Sequence, residues 1–476
     1  MVQMSCLRPL SIIGFSLLAS FACLGMSGCA VDAVGQRHPV SVPAKWKNAH
    51  GFPVADPKRD LTRWWKRFSD PVLTRVITDG LANSPDVASA TAHIREARAR
   101  RNETAASLFP TLNGSVGSNS NVTSVDGSRR VSETRFTTGL DASWEADLFG
   151  KNRSNLAAAT AAVDAAAENF HSVQAALSSE IAIAYTNLRA NELRLTVLLG
   201  VVKSREETSQ LATWRQKSGE ADSLESSQAL SSLEQARSGI PALQQAIAQA
   251  HNQLSLLCGR TPGSLDAVLS SGKHDIPNPA RELGVGIPAD TIRQRPDVRL
   301  AGYQLIAATY SKRSAEAEKL PSLNLSGTLG INTLGAGKLF NPQTATAGVI
   351  AGLTGPIFDA GRIQANVEAL GAVEDQALQT YRTAILTGLS EVEDALIACR
   401  RSAERLEILE KATAAAREAD SIARHRYQSG EIDFLAVLDT QRSLLGLEDN
   451  LLSVRADRTT AYIQLYKALG GGWPAS

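Results

Sequence analysis

The chain has 476 residues, of which 43% are hydrophobic, only 5% aromatic and 20% charged. That length carries two or three ordinary domains, and a profile dominated by Ala and Leu but poor in aromatics belongs to a helix-rich protein. The 49 basic and 48 acidic side chains leave a net charge of +1, which lacks the basic footprint of a nucleic-acid binder, so no nucleic-acid partner is expected.

Taken from the N-terminus, Arg8 precedes a stretch from Leu10 to Leu24 that is almost wholly apolar or small, and no acid appears before Asp32. Residues 1–28 therefore read as a secretory signal rather than as structure. The signal ends in Met26-Ser27-Gly28-Cys29. This resembles the lipobox of bacterial lipoproteins, in which the chain is cut before the Cys and the Cys is acylated. The expectation is a lipid anchor on Cys29, firm because stable anchoring takes at least two acyl chains, with Ala30 after it implying outer-membrane sorting and 29–83 forming a lipid-anchored N-terminal segment. Cys6 and Cys23 leave with the signal. Cys258 and Cys399, on separate helical segments, are expected to be small buried hydrophobes rather than a disulfide framework or ligands. Past the signal no run of about 20 apolar residues occurs, so any part of the mature chain that enters a bilayer must do so as β-strands.

Residues 84–259 read as a first structural unit. A helix from Asp86 to Leu108 stops before Pro110, because proline lacks a donor and disfavours helix before it. A hairpin at 111–145 follows. In it Phe136, Thr138, Leu140, Ala142 and Trp144 alternate with polar or small residues, the period of two of a two-faced strand, and a partner run lies at about Thr111 to Asn121. From Gly150 to about Lys217 the pattern is helical, roughly 100 Å of unbroken helix at 1.5 Å per residue. It breaks at Ser218-Gly219-Glu220 and resumes with Asp222 as a first-turn acid, so Gly219 marks a helical hairpin tip. The returning helix, in which Pro241 is expected to make a kink, ends at Cys258-Gly259. Leu243, Ile247, Ala250, Leu254 and Leu257 step by 4, 3, 4 and 3, a 3.5-residue average that specifies left-handed supercoiling. Residues 260–289, with Pro262, Pro277, Pro279 and Pro288, are a linker.

The same order then repeats at 290–470, before a tail at 471–476. Pro85-Asp86-Val87 recurs as Pro296-Asp297-Val298, and the shift of 211 residues also carries Pro110 to Pro321, Leu112-Asn113 to Leu323-Asn324, Gly150 to Gly361, and Ser218-Gly219-Glu220 to Ser429-Gly430-Glu431. A period this long is a duplicated half-protein. The second hairpin lies at 322–354, the long helix runs to about Gln428, and Gly430 marks the second tip. Four strands of about ten residues have the length of transmembrane β-strands. Four cannot close a barrel when the smallest membrane barrels use about eight, so several chains must contribute to one barrel. Trp144, Phe149, Phe109 and Phe358, at strand ends, suit an interfacial girdle, with core packing the other reading of Phe109.

This combination resembles the outer membrane factor family, the TolC-like channels, and most closely its NodT-like efflux lipoproteins. Local matches are Trp64-Trp65-Lys66-Arg67-Phe68-Ser69-Asp70-Pro71-Val72-Leu73, Arg295-Pro296-Asp297-Val298-Arg299, Gly355-Pro356-Ile357-Phe358-Asp359-Ala360-Gly361-Arg362 and Tyr427-Gln428-Ser429-Gly430, the last continuing through Leu438-Asp439-Thr440-Gln441-Arg442-Ser443-Leu444. The resemblance implies a mainly α fold with membrane β: a homotrimer whose barrel, four strands per chain, is continuous with a long α-helical coiled-coil barrel. It implies an exit duct in the outer membrane, reaching through the periplasm and fed by a periplasmic adaptor protein and an inner-membrane pump driven by protons. It also places a periplasmic gate on Leu435, Asp439 and Arg442, and adaptor-facing turns at Gly219 and Gly430. Spacings of four and three put the gate residues on one helix face, where three Asp in a ring would select against anions; the plain alternative is an Asp439–Arg442 surface pair. Gln228 takes the place of Asp439 in the first repeat. The seven His are dispersed and neither a metal motif nor a phosphate loop is present, so neither catalysis nor a cofactor beyond the lipid is expected. Two other readings stand beside efflux: the outer-membrane duct of a type I secretion system, and a lipid-anchored structural coiled coil without a pore.

Overall fold

The computed structural model describes residues 40–49, 52, 61–125, 129–279, 288–338, 341 and 345–472. The signal, Cys29 and the tail beyond residue 472 lie outside the described residues. The chain divides into units 1–41 and 42–476, and the second is described below.

A 3₁₀ turn at Trp64–Phe68 leads into α1, Pro71–Asn83, whose N-terminus is capped by Asp70: its carboxylate accepts the backbone N–H groups of Val72 and Leu73 at 2.9 Å each. Helix α2, Pro85–Ala106, is capped by Ser84 and feeds strands β1, Thr111–Val125, and β2, Arg129–Ala146. Two helices then form a first long hairpin: α3, Lys151–Ser218, and α4, Ser223–Leu257. The segment that follows contains a short turn of helix, α5, Asp266–Leu269. The second repeat comprises α6, Pro288–Gln294; α7, Pro296–Ala317; β3, Ser322–Thr333; β4, Ala345–Thr354; and the long pair α8, Arg362–Gln428, and α9, Phe434–Ala468.

The long helices end within a residue or so of the positions that the sequence pattern marks. Helix α2 stops at Ala106 because its last residues relax into turns before Pro110, and β1 runs four residues past Asn121. Asp222 and Asp433 are N-caps rather than first-turn acids. Their backbones are extended, and their carboxylates accept the N–H groups of Glu225 and Ala436 at 2.9 and 3.0 Å, which satisfies donors the first turn leaves open. Helix α4 runs unbroken through Pro241.

The main core lies midway along the molecule, where the 3₁₀ turn and α1 pack onto α3, α8 and α9. Trp64, fully buried, stacks on Tyr466 with ring centroids 5.4 Å apart and planes 14° from parallel. Leu73 and Ile77 from α1, Ile181 and Leu188 from α3, Leu396 from α8 and Ile463 from α9 complete it. Asp70 joins the layers, because its second carboxylate oxygen accepts the Tyr185 hydroxyl at 3.0 Å. Cys258 and Cys399 are free and buried, and burial pushes their thiols up to about 11 and about 12, the state of inert packing residues. Smaller apolar clusters follow the helical hairpins outward; the one nearest the tips includes Ala212, Ala229, Tyr427, Phe434 and Val437. Among the described residues no helix is long and apolar enough to cross a membrane.

Candidate functional site

The four strands form one antiparallel sheet in the order β1-β2-β3-β4. Residues directly opposite in an antiparallel ladder share a face, so the register sorts the side chains. One face carries the rows Leu112–Ala142–Gly327–Val349, Gly114–Leu140–Leu329–Ala347 and Val116–Thr138–Ile331–Ala345, continued by Trp144–Leu325–Ala351. The other carries Asn113–Asp141–Thr328–Gly348, Ser115–Gly139–Gly330–Thr346 and Glu145–Asn324–Gly352, and also Ile350, opposite Ser326. The alternation seen in β2 thus extends across all four strands. Val116 and Val349 on the apolar face are 81% and 86% exposed in the single chain, far more than a water-facing surface of this extent would leave. At the strand–helix junction Phe109, Phe149 and Phe358 are exposed in the single chain, so Phe109 lies outside the chain's own core, while Trp144 is half-buried and donates its ring N–H to the Leu108 carbonyl at 3.0 Å.

At the far end of the long helices, Gly219 and Gly430 close the tips with φ of +79° and +77°, the left-handed region that penalises a side chain. A Cβ at either position would meet nothing within 4 Å. One turn into α9, Phe434, Val437, Leu438 and Gln441 are buried, whereas Leu435, Asp439 and Arg442 are exposed on the opposite face. The predicted trio therefore shares one outward stripe. Asp439 and Arg442 make no ion pair with each other or with any described residue, so the surface-pair alternative is not realised. Gln228, the first-repeat counterpart of Asp439, is half-buried on α4.

The sequence reading missed the contact that joins the two tips. The Tyr427 hydroxyl on α8 donates to the Glu225 carboxylate in the first turn of α4, and the Arg215 guanidinium at the end of α3 lies 3.8 Å from the same carboxylate and 5.0 Å from the Tyr427 ring centroid. Burial, then the Glu225 charge, pushes the Tyr427 phenol up to about 12, so it stays a donor at neutral pH. Tyr427 stands in a matched motif, but Glu225 is 202 residues away, and nothing in the pattern around it marks the pairing.

This arrangement has an exposed apolar face and a polar face at one end, and two helical hairpins at the other. Comparison with known proteins agrees. The family described as outer membrane efflux protein matches residues 76–260 and 287–471, two stretches displaced by the same 211 residues as the repeat. The toluene efflux pump outer membrane protein TtgF of Pseudomonas putida is 30% identical over 94% of this chain and 95% of its own. The pyoverdine export outer membrane protein OpmQ of Pseudomonas aeruginosa is 30% identical over 98% of both chains. The solved outer-membrane channel OprN superposes with a TM-score of 0.86 at 30% identity, covering 92% of this chain and 98% of that one. With both repeats matched and the whole fold shared, this chain belongs to the outer membrane efflux protein family, the TolC-like outer-membrane channels of efflux pumps.

Proposed function

We propose that three copies of this chain form one exit duct for small molecules across the outer membrane and periplasm. The observation that carries this is the sheet: an apolar face beside a polar one, with β1 and β4 left as open edges. Open edges are not tolerated in lipid. Because each chain contributes an even number of alternating strands, β4 of one copy meets β1 of the next antiparallel, and three copies close a twelve-stranded barrel with the polar face lining the lumen. The four long helices of each chain continue it as a twelve-helix tunnel. The chain does no chemistry in this reading; it conducts, and the energy comes from a proton-driven inner-membrane pump through a periplasmic adaptor that contacts the tips at Gly219 and Gly430. Leu435, Asp439 and Arg442 narrow the periplasmic end, a role supported by their shared exposed stripe and by Asp439 and Arg442 making no ion pair among the described residues. A lipid on Cys29 tethers the N-terminus to the outer membrane.

Reconstitution of the purified protein into planar bilayers tests the reading. Discrete, cation-preferring single-channel steps from a trimeric sample are expected. A verified trimer that never conducts would leave only the structural coiled-coil reading.

A further inference from the structure

A cavity of about 390 Å³ lies where the sheet joins the long helices, enclosed by the β2–α3, α7–β3 and β4–α8 junctions. Of the strand residues that line it, Glu145, Ser322 and Thr354 stand on the polar face of the sheet, whereas Leu323 and Leu353, opposite each other on the apolar face, take no part. The cavity therefore opens on the polar face. Its charged side chains differ in what they meet. Asp147 accepts the backbone and Nε N–H groups of Arg153 at 2.8 and 3.1 Å, and Glu318 lies 3.9 Å from the Lys151 ammonium. Arg362, at the first position of α8, is exposed, so water meets its charge. Glu145 is half-buried and has neither a hydrogen bond nor an ion pair among the described residues. The polar groups around it are taken by one another: Asn324, directly opposite in the ladder, donates its amide to the Ser322 hydroxyl at 3.2 Å, and the Ser322 and Thr354 hydroxyls lie 3.3 Å apart. Beside this carboxylate the wall turns apolar, with Leu148 and Leu320 54% and 45% exposed and Pro321 and Pro356 next to them. A half-buried charge without a partner calls for a counter-charge, and a bare apolar wall calls for an apolar body; a cavity of this size with a few placed polar groups is the ordinary form of a small-molecule site.

We infer that this cavity binds an amphipathic organic cation, a protonated amine or quaternary ammonium with an apolar body, Glu145 holding the charge and the wall of Leu148 and Leu320 the body. Binding rests on the single chain, which supplies all three junctions. Its place inside a conduit rests on the trimeric duct proposed above. Strand β2 is paired on both sides within the sheet, so joining β4 of one copy to β1 of the next leaves Glu145 facing the lumen. Three copies then set three such sites in a ring where barrel meets tunnel, and cationic cargo pauses there on its way out.

The test titrates benzyltriethylammonium, which carries both parts, into the full-length protein in a neutral detergent and follows the heat of binding. Tetramethylammonium probes the charge alone and benzenesulfonate the opposite charge. Wild type is expected to bind the benzyl ammonium about tenfold more tightly than either of the others, Glu145→Gln to bind it about tenfold more weakly than wild type, and Glu145→Asp to retain most of the affinity. Equal binding by wild type and Glu145→Gln overturns the site, as does a preference for benzenesulfonate that Arg362→Gln abolishes, or binding that is lost in Asp439→Ala instead. If Glu145→Gln does not assemble, Thr354→Lys, which adds a competing ammonium to the same cavity, serves the comparison. Current through planar bilayers separates the site from the duct. Binding that depends on Glu145 in a protein that never conducts keeps the site and removes the lumen around it; conduction with binding indifferent to Glu145 removes the site alone. In a conducting channel, the benzyl ammonium should reduce the wild-type current at a concentration about tenfold below that needed for Glu145→Gln.

Discussion

Tyr427 and Glu225 tie the second helical hairpin to the first: the phenol on α8 donates to the carboxylate at the start of α4, and no other described contact crosses the tips with a charge-assisted hydrogen bond from a buried donor. A duct that opens by moving one hairpin away from the other must break this bond. Removing the hydroxyl in Tyr427→Phe should therefore weaken tip closure by about 2 kcal/mol, the usual worth of a hydrogen bond to a charged group. The expected outcome is faster hydrogen exchange at the tips and a larger open probability in bilayers, with the assembly intact.

The same phenol supplies a pH signature. Its folded pKa of about 12 exceeds the ordinary value of about 10, so the unfolded chain gives up this proton first. The stabilising contribution is complete below pH 10 and falls between pH 10 and 12. Ultraviolet titration should show one tyrosinate appearing near pH 12 in wild type and missing in Tyr427→Phe; a tyrosine in that variant still titrating there in place of the lost one would refute the assignment.

Asp439→Ala removes the acid from the exposed stripe of α9. A larger single-channel current is expected, with the reversal potential in a salt gradient moving toward zero as cation preference declines. Unchanged current and selectivity would move the constriction away from this residue.

The sheet faces make opposite predictions for one substitution type. Leu140→Arg puts a charge on the apolar face, and Thr137→Arg puts one on the polar face, three residues earlier in β2. The first should lower barrel stability by about 2–4 kcal/mol if it lies near the bilayer midplane. The second should leave stability nearly unchanged and alter conductance. Urea unfolding in lipid vesicles measures both.

At the second tip, Gly430→Ala meets open space but keeps a positive φ, so it should cost about 1 kcal/mol in helix-hairpin stability and little more. Gly430→Trp adds bulk that projects into that space. A stable, conducting channel that no longer supports efflux in cells is expected, because the turn would be blocked to a partner. Unimpaired efflux would argue that the adaptor contacts another surface.

Sequence alone determined the parts that depend on local periodicity. The period of two in β2, the 4-3 spacing in α4, the Gly breaks at the tips and the 211-residue repeat are properties of neighbouring positions or of duplication, and the elements they mark are present. The three proposed gate residues fell on one exposed stripe for the same reason, since helix geometry alone assigns faces. What only the tertiary structure decided are the relations between distant segments. The pairing of β2 with β3 turns two hairpins into a single two-faced sheet. Glu225 meets Tyr427, and Glu145 stands without a cation among the described residues while Glu318 receives Lys151. A charge's partner is set by which helices pack side by side and at what level, and the spacing of residues along one chain carries no record of that.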